Sequence, residues 1–84
     1  MAKNGVTTRK LLDVLKDLDF VERERRGEHV MFAHKNKGVL VTVPTSHHFV
    51  PLVHLRAIEK LLEGFNIISP WKFEKKLGVS NVTS

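Results

Sequence analysis

The sequence predicts an α+β fold: a small αβββα sandwich in which a three-stranded antiparallel sheet carries two helices on one face, followed by a short C-terminal helix. Three observations predict it. An apolar stripe at helical spacing opens the chain, three short strand-like runs with turn chemistry between them fill its middle, and a second helical stripe follows Pro51. Each helix has one apolar face to bury, and packing both on the same side of the sheet buries all three apolar surfaces together. The other side of the sheet is then left to water.

The elements follow in order. Thr7 or Thr8 can cap a first helix whose Leu11, Leu12, Leu15 and Leu18 form one stripe. Residues 20–25 alternate weakly and are rich in charge, as an edge strand with one solvated face requires. In residues 29–34, period-two alternation puts Val30, Phe32 and His34 on one face and His29, Met31 and Ala33 on the other. Asn36-Lys37-Gly38 supplies a turn, and residues 39–43 form a β-branched third strand that Pro44 stops. A second helix is predicted over 51–63, with Pro51 at its first position and Gly64 as its terminator. Its buried face is read as Leu52, Leu55, Ile58 and Leu62 with Phe65 at the end, while Arg56, Glu59, Lys60 and Glu63 stay wet. Ser69-Pro70 signals a short helix carrying Trp71, Phe73 and Leu77, with Trp71 and Phe73 spaced to form an apolar lid on the second helix rather than a base-stacking platform. The polar residues 78–84 read as a frayed tail.

Composition bounds the function. With 84 residues and no dividing linker, residues 1–84 make a single domain with its core at about 7–76. An apolar content of 42% and a charged content of 27% suit a folded chain, whose small size limits stability to about 5 kcal/mol. No cysteine is present, so disulfides and thiolate zinc sites are excluded. No apolar run approaches the roughly 18 residues of a membrane span and no signal-peptide core is evident, so a cytoplasmic protein without membrane attachment is expected. The net charge of +5 is spread along the chain and suits a polyanionic partner such as nucleic acid, or an acidic protein, or solubility alone.

The run Gly27-Glu28-His29-Val30-Met31-Phe32 sets a histidine at the entrance of a strand hairpin. Imidazole titrates near neutrality, so His29 is a candidate for acid/base chemistry on a phosphate backbone, with an ordinary strand histidine as the default on sequence chemistry alone. Arg25 and Arg26, just before His29, are placed to stabilise charge on a phosphate, and Gly27 lets the backbone turn tightly or approach the phosphate closely. Glu28 reads in two ways: it favours the protonated histidine, or it repels the phosphate as a solvated surface charge. Arg9 and Lys10 stand in the first turn of helix 1 against the macrodipole preference, which suggests a binding role, an RNA contact if the fold is the double-stranded-RNA-binding one, or simple solvation. His47, in the loop before the second helix, reads as a plain loop histidine, with a second acid/base group or an RNA contact as the functional alternatives. The five histidines lack the helical spacing of a metal site, so neither a metal nor any other cofactor is expected. Lys72, Lys75 and Lys76 read as a solvated helix face.

The order αβββα is that of the double-stranded-RNA-binding fold. Over residues 7–76 the chain resembles the HicA-type toxins of prokaryotic toxin–antitoxin systems. The resemblance rests on a Thr-x-x-x-Leu-Leu first helix, Gly27-x-His29 leading into Val30 and Phe32, a Val-Thr-Val-Pro third strand and a Leu-x-x-Ile second helix. It implies an mRNA interferase, a stress-response endonuclease that cleaves mRNA with His29 as catalytic residue, and a HicB-type antitoxin that covers His29 and the basic surface. The family's histidine follows Gly-Ser or Gly-Thr, where this chain has Glu28. The family's Pro-x-His after the third strand is here Pro44-Thr45-Ser46-His47, one residue longer. A non-catalytic RNA- or protein-binding module of the same fold is the alternative.

Overall fold

A computed structural model of the chain describes residues 5–78, and the expected frayed tail falls outside the described residues apart from Gly78. The helix α1 (Thr8–Asp17) begins where the Thr7 side chain accepts the Lys10 N–H at 3.1 Å, so Thr7 is the cap. Leu11, Val14 and Leu15 are buried from it, with Leu12 and Leu18 half-buried alongside. Three antiparallel strands follow in the order β1 (Phe20–Arg26), β2 (His29–His34) and β3 (Leu40–Pro44), forming one meander. The chain closes with α2 (Leu52–Gly64) and α3 (Pro70–Leu77). This is the expected α+β architecture.

Cross-strand partners share a face of the sheet, and the register therefore sorts the side chains. Phe20 pairs with His34, Phe32 with Val41 and Val30 with Val43, and all six are buried toward the helices. They join Leu11, Leu15, Ile58, Leu62, Phe73 and Leu77 in one core. The opposite face carries His29, Met31 and Ala33 with their partners and, among the described residues, has no helix over it. A bulge at Arg23, between Glu22 opposite Phe32 and Glu24 opposite Met31, inserts one extra residue into β1. Everything in β1 beyond it therefore changes face.

Several sequence expectations need correction. Pro44 does not stop β3 but is its last residue, opposite His29; β3 is an edge strand, where the missing N–H is tolerated. Pro51 occupies the cap position of α2, and the helix begins at Leu52. Leu52 is 62% exposed: it lies roughly 80° around the helix from Leu62, outside the stripe of Ile58 and Leu62. Gly64 ends the helix without a left-handed conformation; that role falls to Asn66 at φ 57°, and Phe65 is left half-exposed. Glu59 is half-buried, not wet. The proposed lid is half right. Phe73 is buried, but Trp71 is 62% exposed, because two residues turn a helix by about 200°.

Candidate functional site

His29 is the first residue of β2, exposed on the open sheet face. Its partner across the hairpin is Arg26 and its partner on the other side is Pro44. Gly27 and Glu28 are the two turn residues between Arg26 and His29. Gly27 has φ 53° and Glu28 does not have a positive φ, the pattern of a type II′ hairpin that asks for glycine at its first position. A Cβ at Gly27 would meet nothing within 4 Å, so backbone conformation alone demands glycine there. Glu24, Arg26, His29, Met31 and Thr42 line a shallow depression on this face. Arg26 Nε donates to Glu24 Oε2 at 2.7 Å, both side chains being well exposed.

Of the two arginines expected beside His29, the structure brings only Arg26 to it. Arg25 lies opposite Val30, which is a helix-side position, and pairs there with Glu22 at 3.4 Å. Glu28 sits in the turn, exposed, and its backbone carbonyl accepts the Thr45 N–H at 2.6 Å. That bond ties the hairpin to the loop after β3.

The loop builds a second depression, lined by Thr8, Arg9, Thr45, Ser46 and His47 among others. It is anchored to the start of α1: Thr8 Oγ1 donates to the His47 carbonyl at 2.6 Å, Thr8 N–H to the His48 carbonyl at 2.9 Å, and Val50 N–H to the Val6 carbonyl at 2.8 Å. With its backbone held, His47 is exposed beside Arg9, and Lys10 is exposed on the next residue of α1. No residue lines both depressions, so Arg9 and His47 form a group apart from Arg26 and His29.

The remaining histidines have other work. His34 is buried against Phe20 in an edge-to-face contact at 5.1 Å, and its Nδ1 accepts the N–H groups of Asn36 and Lys37, each at 3.1 Å. It closes the β2–β3 turn. His48 stacks edge-to-face on Phe49 at 4.5 Å, and His54 is exposed on α2. Among the described residues no group of three His, Cys, Asp or Glu is arranged to hold a metal ion, and no helix is long and apolar enough to cross a membrane.

No family model matches the chain, and no curated protein matches its sequence. The site must be read from its own chemistry. Sequence reasoning put Met31 on the face of His29 but did not name it, Glu24 or Thr42 as residues of the site. Met31 and Thr42 were within reach of a two-residue alternation and a hairpin register, but Glu24 arrives by way of the bulge. Also missed was a carboxyl pair between α2 and α3, where burial first, and then Glu74, push the Glu59 carboxyl up to about 7.

Proposed function

We propose that the chain is a metal-independent endoribonuclease of the HicA kind, the toxin of a toxin–antitoxin pair, with mRNA as its substrate and His29 as its acid/base residue. The observation that carries this reading is the setting of His29: an exposed imidazole directly after a two-residue turn, beside Arg26, on a sheet face that no helix among the described residues covers. A phosphodiester lying across that depression would present its ribose 2′-OH or its 5′-oxygen to the imidazole, which moves the proton. Arg26 would meet the charge building on the phosphate oxygens. Arg9, Lys10 and His47 supply a second, basic contact at the α1 end of the molecule, where the RNA backbone would be held electrostatically. A HicB-type antitoxin with an acidic surface would silence the enzyme by covering the His29 face, and charge complementarity would speed its capture. On this reading the protein acts in the cytoplasm.

One observation favours a second reading, a module that binds RNA without cutting it. Two carboxylates flank His29, Glu24 on the neighbouring strand and Glu28 in the turn, and Glu24 already occupies Arg26. The experiment that decides is incubation of the purified chain and its His29→Ala variant with long single-stranded RNA in excess chelator. Cleavage by the parent with a loss of at least about 100-fold in the variant, binding being retained, supports the nuclease. Equal binding and no cleavage by either overturns it in favour of the module.

A further inference from the structure

The outward face of α3 carries an aromatic ring that the core does not use. Phe73 and Leu77 anchor the helix in the core, Pro70 starts it, Gly78 ends it at φ 79°, and Lys76 is bridged to Asp17 of α1. Trp71 is thus held on a fixed element and is 62% exposed. Lys75, one turn further along, sets its Nζ 5.7 Å from the centre of the indole ring. The acidic residue of α3, Glu74, is turned instead toward Glu59 on α2. An exposed indole with a lysine ammonium group over it fits a polyanion that has flat π faces of its own. Acidic protein segments satisfy the charge but leave the ring without a partner.

We propose that Trp71 and Lys75 form a stacking site for single-stranded RNA, one base lying on the indole and the adjoining phosphate meeting the Lys75 ammonium group. Base–aromatic stacking of this kind tolerates any sequence, and it requires an unpaired base. The proposal rests on the reading of the chain as an RNA-binding protein and extends it. Trp71 belongs to the helix layer and His29 to the opposite face of the sheet, so an RNA touching both must pass around the molecule's edge. The α3 site would hold a long message while His29 works on another stretch of it.

Trp71 is the one tryptophan of the chain, so its fluorescence reports on this site alone. The probe is a 2′-O-methyl single-stranded oligouridylate, which lacks the free 2′-OH and cannot be cleaved, with its binding followed in parallel by anisotropy of an end label. The expected result is quenching of Trp71 emission that saturates together with the anisotropy. Trp71→Ala should weaken binding roughly 5- to 100-fold and Trp71→Phe much less, and Lys75→Gln should flatten the log–log salt slope by about 0.7. Circular dichroism checks that the variants stay folded. Binding with unchanged Trp71 emission and no loss in Trp71→Ala overturns the stacking site while leaving the RNA reading intact. No binding by any form overturns both.

Discussion

Arg26 has two claims on its guanidinium. It stands opposite His29 across the hairpin, where a phosphate would come to rest, and it already donates Nε to Glu24 Oε2. Both side chains are exposed, so the pair contributes at most about 1 kcal/mol and yields readily to a stronger anion. Replacing Glu24 by Gln should therefore tighten RNA binding several-fold and steepen its log–log salt slope by about 0.7, a change read directly from a salt titration. An unchanged slope would mean that Arg26 does not meet phosphate. Glu28→Thr should act in the same direction, because it removes an exposed acid from the turn beside His29 without touching the backbone bond from Thr45. At this scale His29 was legible because a glycine turn before an alternating strand fixes its place. The face of each arginine was not legible.

That uncertainty came from one element. Simple alternation from Phe20 puts Glu22, Glu24 and Arg26 on the helix side of β1, away from His29. The bulge at Arg23 reverses the second half of the strand, bringing Glu24 and Arg26 to the open face and sending Arg25 to the other. No residue in 20–26 announces a bulge; it is set by the partner strand and the core. The α2–α3 contact was hidden for a similar reason: Glu59 looks solvated on a helical wheel, and only the later helix brings Glu74 against it. Burial and Glu74 raise the Glu59 carboxyl to about 7, Arg56 opposes the shift and Glu63 adds to it. Its pKa is raised on folding, so the stability from the protonated form is present in full below about 4.5 and is lost as pH climbs toward about 7. Glu59→Gln should remove that loss, with a gain at pH 8 of about 1 kcal/mol after solvent screening and none at pH 4. Denaturant melts at the two pH values measure it, and a gain equal at both would refute the account.

The molecule as a whole divides its labour between layers. One side of the sheet is committed to packing, and Phe32 at its centre is fully buried in the core, so Phe32→Ala should cost about 3–5 kcal/mol. In so small a domain that is most of its stability, and thermal melts should find the variant largely unfolded. The other side can be altered with little penalty: His29→Ala should shift the melting temperature by no more than about a degree or two. This division was legible from the order of elements, because the apolar stripes of two helices and one alternating strand leave only one way to close a core. The fastening of the loop after β3 to the start of α1 was not legible, and it bears on how the chain assembles. Thr8 Oγ1 and the His47 carbonyl are 39 residues apart, so their bond closes a long loop, whereas the β1–β2 hairpin closes across two residues. Loop-closure entropy places such a contact late on the folding route. Thr8→Val should consequently hasten unfolding and leave the refolding rate nearly unchanged, so the lifetime of the surface formed by Arg9 and His47 is governed by the rate at which this clasp opens.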